Sequence, residues 1–361
     1  MLYKLIYEYF KLNTLSSYCK CEFNARKLIS NEVLLEDTLA NFIFKDEWYK
    51  KLNKKIKHHH FDFSITSIDK LSNLYRIHVN RNRVFSYNIS SKVFHKSNNE
   101  KFIFLISQKN NKYYITTVVY KEENPIFYET LSTSSLENIS SSRNSGEYLW
   151  NQRVNNLNIL YNSYTILKDS LSSNNILYSK LNNYSSTNNI SSITEIKDTR
   201  NSQTPLYKSN IQIHSTLING EKLIKYARTY ALKYNKNYTN FNNSGGDCTN
   251  FVSQALNFAG LNQTHNWKPY TASWIMVIPF RDYIVKNNFA IEFQELCPNP
   301  IGTIIQFFSP IKERFSHTGI ITDMMDDGEL LYCCHDYDKL DFPLSETYPI
   351  FYKRIRNLQI K

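Results

Sequence analysis

Seven of the eight glycines in this 361-residue chain lie after residue 219. Glycine enters left-handed backbone without a steric penalty, so tight turns have to concentrate in the C-terminal part of the fold. The most informative stretch there is FNNSGGDCTNFVSQALNFAGL, residues 241–261. Gly245 and Gly246 permit a sharp loop, and a helix starts near Cys248. Phe251, Val252, Ala255, Leu256 and Ala259 form its apolar stripe, and Gly260 is placed to end it. A cysteine in the first turn of a buried helix meets unpaired backbone N–H groups and the positive end of the helix dipole. Both favour a thiolate, and the same N–H groups can hold an oxyanion. The expectation is therefore a thiol pKa below the ordinary value of about 8.5. Most free cysteines are nevertheless buried and inert, so a catalytic reading needs a base.

His317 is the best placed of nine histidines. It opens the strand-like run FSHTGIIT (315–322), whose buried part is marked by Ile320 and Ile321. After the turn MMDDGE, the segment LLYCCHDYDKLDFPL (330–344) offers a second strand over Leu330–Cys334. An antiparallel hairpin of the two would carry His335 or Asp336 to His317, where either can orient the imidazole. As neighbours on an extended chain, only one of them can face the site. Asp247 is positioned to shape the loop or to cap the helix.

Composition sets limits. Hydrophobic residues are 42% and charged residues 21%, a globular balance. No run of about 18 apolar residues occurs, so no membrane span is expected. The N-terminal stretch is broken by Lys4, Glu8 and Lys11, the pattern of an amphipathic helix and not of a signal peptide. The default compartment is the cytoplasm, with release to the cell wall or exterior by a non-classical route as the alternative. The net charge of +11, from 43 basic and 32 acidic residues, suits anionic partners but is spread along the chain. The dense run Lys50–His60 reads as a helix end and loop, with His58, His59 and His60 in the loop. No nucleic-acid motif accompanies it. The cysteines at 19, 21, 248, 297, 333 and 334 form no disulfide framework. Cys333 and Cys334 point to opposite strand faces, so with His335 they do not read as a zinc site. No metal or cofactor is expected.

Three regions follow. Residues 1–128 read as a separate α+β unit of unknown role: helices to about 55, then strand-like runs at 61–68, 74–89, 101–107 and 112–121. The last two are joined as a hairpin by QKNNK. Helices followed by an antiparallel meander resemble a cone-shaped, nuclear-transport-factor-like layout. Residues 129–204 read as a connector, because Ser and Asn supply 29 of the 70 residues from 131 to 200. One helix is expected within it around Glu147–Leu171. Residues 205–361 form the third unit, opening with an amphipathic helix at 219–234 capped by Asn219.

The run GGDCTNFVSQAL, followed by Gly260, Trp267 and Ser273–Trp274, resembles a bacterial amidase-domain family. That family sits with the papain-like amidohydrolases, beside the NlpC-type and CHAP groups. Ile301–Gly302 with Ile304, Ser316–His317 and His335 continue the likeness, which covers roughly residues 205–350. Relatives usually carry Gly-Asp where Gly302–Thr303 stands here. The resemblance implies a papain-like C-terminal fold, Cys248 as nucleophile, His317 as general base and His335 as third member, with Asp336 close behind. Gly246, Asp247 and Trp274 would shape the site. It also implies an amide or peptide substrate, with peptidoglycan stem peptides favoured, and a hydrolase working through an acyl-cysteine. Two alternatives stand beside it: an inactive binding or scaffold protein on the same fold, and a transglutaminase-like acyl transferase using the same residues.

Overall fold

The computed structural model describes residues 1–12, 14, 18–88, 93–141, 218–242, 244–348, 350–352 and 354–361. The helix expected near Glu147–Leu171, and most of the expected connector, lie outside the described residues. No described helix is long and apolar enough to cross a membrane.

Helices α1 (Leu2–Leu12), α2 (Tyr18–Leu28) and α3 (Glu32–Lys51) precede a meander of β1 (Ile56–Leu71), β2 (Leu74–Tyr87), β3 (His95–Lys109) and β4 (Lys112–Tyr120). The β3–β4 hairpin closes through Asn110 and Asn111, at φ 49° and 60°. Paired left-handed residues make the turn that suits strand twist, and asparagine is among the side chains that tolerate it. His58–His60 lie within β1, paired with β2, and not in a loop. Two helices, α4 (Pro125–Thr133) and α5 (Leu136–Ser141), occupy the start of the expected connector. The Asn124 side chain caps α4 by accepting from Phe127 N, and Pro125 begins it.

The C-terminal part supplies α6 (Gly220–Tyr230), α7 (Cys248–Phe258), α8 (Ala272–Ile275) and α9 (Val277–Lys286). Its strands are β5 (Ala290–Phe293), β6 (Ile304–Ser309), β7 (Arg314–Met324), β8 (Leu330–Cys334), β9 (Lys339–Pro343) and β10 (Arg354–Ile360). Asn219 caps α6 as expected, accepting from Lys222 N at 2.9 Å. The fold is α+β, and its sheet is antiparallel throughout.

The sheet is shared. Its order is β1-β2-β3-β9-β8-β7-β6-β10-β5, and β4 pairs with β3 over Phe102–Lys109, off this path. The N-terminal meander joins the C-terminal strands where Lys96 and Ser97 of β3 pair with Leu340 and Lys339 of β9. One apolar cluster crosses that seam, with Phe85 and Tyr87 of β2 packed among Phe307, Tyr332, Phe342 and Tyr352. Buried polar ties cross it too. Lys54 pairs with Glu329, Lys339 pairs with Glu122, and Glu346 accepts from the hydroxyls of Tyr49 and Tyr87. Against the expectation of a separate N-terminal unit, residues 1–128 share this sheet with the C-terminal strands. The physical basis of the joining was missing from local sequence, because partners far apart in the chain make the seam.

Candidate active site

Helix α7 forms for local reasons. Its apolar stripe buries Phe251, Val252, Ala255 and Leu256 completely in the C-terminal core. The end is a Schellman turn, in which Gly260 N reaches Asn257 O and Leu261 N reaches Leu256 O, with Gly260 at φ 117°. At the other end the chain passes Gly245 and Gly246, at φ 103° and 114°, directly into Cys248.

His317 stands on β7, which packs against α7. A bulge sits beside it: Phe307 pairs with His317 and Phe308 with Phe315, leaving Ser316 extra. Such a bulge re-aims neighbouring side chains. The imidazole stacks on the rings of Phe307 and Tyr352, inclined by 29° and 8° with centroids 5.6 and 6.0 Å away, and Tyr337 stands 5.3 Å off. Its Nε2 is buried without a hydrogen-bond partner.

The third group comes from the turn His335–Asp338, which links β8 to β9. Asp336 has left-handed backbone, φ 76°, and this breaks the strand alternation that would have set its side chain. Its carboxylate accepts from Asp247 N and, at 3.3 Å, from Cys248 N, at the start of α7. Gly246 makes room for it, since a Cβ there would lie 2.7 Å from Asp336 Oδ2. Cys248 Sγ, a ring nitrogen of His317 and a carboxylate oxygen of Asp336 all fall within 4.8 Å of one another.

His335 turns away. Its Nδ1 meets Asp247 Oδ2 at 2.6 Å and its Nε2 meets Tyr230 O at 2.8 Å, behind the helix start. Of the two candidates for orienter, the structure brings Asp336 to His317, and places His335 in a buried pair with Asp247. Asp247 accepts from Phe241 N, Asn250 Nδ2 and His335, and makes no side-chain cap to the helix backbone. It ties the glycine loop and the β8–β9 turn to α7, which is loop shaping and not capping. Trp274 and Trp267 are fully buried in the core. Trp274 Nε1 donates to Asn250 Oδ1, so neither ring lines a cleft.

The electrostatics reverse one expectation. Burial pushes the Cys248 thiol well above its ordinary value, and the Asp336 carboxylate pushes it further. The Thr318 N–H pulls only partly the other way. Burial holds His317 well below the ordinary imidazole value, and the charges of Lys339 and Lys312 add to that. Burial also raises Asp336, against hydrogen bonds from Asp247 N and the Cys248 group. Sequence reasoning foresaw a depressed thiol because it counted the helix N-terminus. It did not foresee that a carboxylate already occupies those N–H groups. The resting site is a neutral thiol beside a neutral imidazole, with Cys248 5% and His317 2% exposed.

Several contributors carried no sequence signal. The β8–β9 turn is held from β3: Asn98 N donates to Asp338 O at 2.9 Å, and Asn99 Nδ2 donates to the Asp338 carboxylate. Tyr234 OH holds the other Asp338 oxygen at 2.6 Å. Lys339, whose charge bears on His317, is itself paired with Glu122. Thr303, in the place where relatives carry aspartate, accepts from Asn357 Nδ2 and donates to Pro300 O, so the turn before β6 remains tied.

Residues 218–356 match the family model described as "Putative amidase domain". This supports an amidase domain, a hydrolase of amide bonds, in that part of the chain. A stretch of 67 residues, 19% of the chain, is 49% identical to a protein of Bacillus subtilis (strain 168) called "Uncharacterized protein YjcM", and it covers 16% of that protein. No solved structure matches the chain.

Proposed function

Taking residues 218–356 as an amidase domain, we propose that Cys248 is its nucleophile, that His317 is the general base and acid, and that Asp336 is the third member. The observation carrying this reading is the meeting of the three side chains within 4.8 Å at the start of a buried helix. The order of elements, a cysteine on a helix and a histidine on a later antiparallel strand, is that of papain-like enzymes, and we read the domain as such. Substrate entry displaces the Asp336 carboxylate from Cys248 N, and the scissile carbonyl oxygen takes over that N–H. Asp336 then turns to the imidazole, which it already approaches, and stabilises it once protonated.

The step balances as a general-base attack. The Cys248 thiol gives its proton to His317 as sulfur bonds to the carbonyl carbon, and the oxyanion forms at the Cys248 N–H. Collapse breaks the C–N bond, and the His317 proton leaves with the amine. Water, deprotonated by His317, attacks the thioester, releasing the acid and restoring the thiol. A buried neutral pair suits this order, because charge appears only with substrate in place. The substrate class is a peptide amide, with peptidoglycan stem peptides favoured by the family likeness.

The test is incubation with a panel of stem-peptide and simple peptide amides, with and without a free amine, followed by intact-mass analysis. An acyl adduct on the Cys248 peptide, with turnover lost in Cys248→Ala, is the expected result. Amine-dependent products without hydrolysis would make the domain an acyl transferase. No adduct and no turnover on any amide would make it a binding scaffold and overturn the proposal.

A further inference from the structure

In a catalytic relay the imidazole stands between thiol and carboxylate, keeping those two apart. Here the three groups form a triangle. Asp336 reaches the Cys248 side as well, accepting from its N–H at 3.3 Å, and each pair of donor atoms lies within 4.8 Å. His317, 2% exposed, offers one ring nitrogen to this cluster, and its Nε2 is buried without a hydrogen-bond partner. Thiolate, imidazole and carboxylate are the three donor types that zinc takes in sites with one position left open. Metal-site spacing in the sequence does not show this set, because residues 248, 317 and 336 come from a helix, a strand and a turn.

We propose that Cys248, His317 and Asp336 form a Zn2+ site in the resting protein, and that zinc bound there blocks the nucleophile. The site stands on the geometry of these side chains alone, while its blocking role rests on the amidase reading above. Binding replaces the thiol proton, and the carboxyl proton where present, which leave to solvent. The dication then balances one thiolate and one carboxylate, and His317 binds as a neutral imidazole through the ring nitrogen that faces them. A water completes a tetrahedron. Zinc bonds of about 2.0–2.3 Å require the three donors to close in by roughly 1 Å, within reach of side-chain rotation. To make that move Asp336 gives up its hydrogen bonds from Asp247 N and Cys248 N.

The test uses the full chain, stripped with a chelator and titrated with Co2+ as a spectroscopic stand-in, then with Zn2+ in competition. One equivalent of Co2+ with sulfur-to-metal charge transfer and tetrahedral visible bands is expected. Both should vanish in Cys248→Ser, and binding should weaken at least about tenfold in Asp336→Asn and His317→Ala, with circular dichroism reporting the fold of each variant. Absence of the charge-transfer band, or its survival in folded Cys248→Ser, would overturn the site. With an amide substrate, Zn2+ should inhibit and a chelator restore. Zinc-dependent activation would overturn the blocking role, and with it the thiol mechanism. A Cys248 acyl adduct in protein that binds no metal would overturn this inference and leave the amidase reading standing.

Discussion

Replacing Gly246 with alanine separates two effects that the structure places side by side. Gly245 and Gly246 both have positive φ, 103° and 114°, so alanine at either is strained, by about 1–3 kcal/mol. At Gly245 nothing lies within 4 Å of an added Cβ. At Gly246 the Cβ would stand 2.7 Å from Asp336 Oδ2 and 3.2 Å from its Cγ. The carboxylate must then leave the N–H groups of Asp247 and Cys248. Hydrogen bonds to a charged group contribute about 1.5–3 kcal/mol each, and the 3.3 Å one lies at the weak end. Gly246→Ala should therefore cost about 2–4 kcal/mol more than Gly245→Ala, measured by urea unfolding through the fluorescence of the buried Trp267 and Trp274. A second readout checks the cause. With Asp336 pushed off, the thiol loses the carboxylate that raises its pKa, and iodoacetamide should label Cys248 faster in Gly246→Ala at neutral pH. Equal losses for the two variants, or unchanged labelling, would refute the placement of Asp336 over the helix start.

Asp336→Asn keeps the shape and removes the charge, so the pH dependence of Cys248 alkylation should move to lower pH, read by peptide mapping of labelled thiols. In the unmodified protein that labelling should rise only through alkaline pH, not at mildly acidic pH, because burial and Asp336 raise the thiol. The sign carries to stability: a raised thiol contributes fully below its ordinary pKa and loses that contribution as pH climbs past it, visible as a falling melting temperature at high pH. Glu122→Gln leaves Lys339, 1% exposed, without its carboxylate, and should cost about 3–5 kcal/mol in denaturant unfolding. Most of that loss should be recovered in the double variant Glu122→Gln with Lys339→Met, and no recovery would mean that Glu122 acts through something other than the ion pair.

What was legible in the sequence is what local pattern decides. The helix of Cys248 has its stripe and its Gly260 stop within one window, and the strand of His317 and its hairpin with Leu330–Cys334 show as apolar runs around a turn. Asn219 was readable as a cap for the same reason. The choice between His335 and Asp336 was not readable, because alternation fails in the turn where Asp336 takes φ 76°. The direction of the thiol shift was not readable either. It depends on burial and on a carboxylate 88 residues away, and no helix-terminus argument contains those terms. His58–His60 looked like loop from their charge, but the strand they occupy is set by pairing with β2.

The same reasoning bears on the part of the chain before residue 218. Without β3, strand β9 would present unpaired backbone groups as a sheet edge, the arrangement proteins ordinarily cover. Phe85 and Tyr87 would be missing from the cluster that holds Phe307 and Tyr352, the two rings stacked on His317. Asn98 and Asn99 would no longer hold Asp338, two residues from Asp336, and Lys339 would lose Glu122 while keeping its influence on His317. Each consequence falls on the β8–β9 turn or on the imidazole. The N-terminal strands therefore brace the residues around the candidate site, and the support of the turn that carries Asp336 comes from the joined sheet and not from the amidase segment alone.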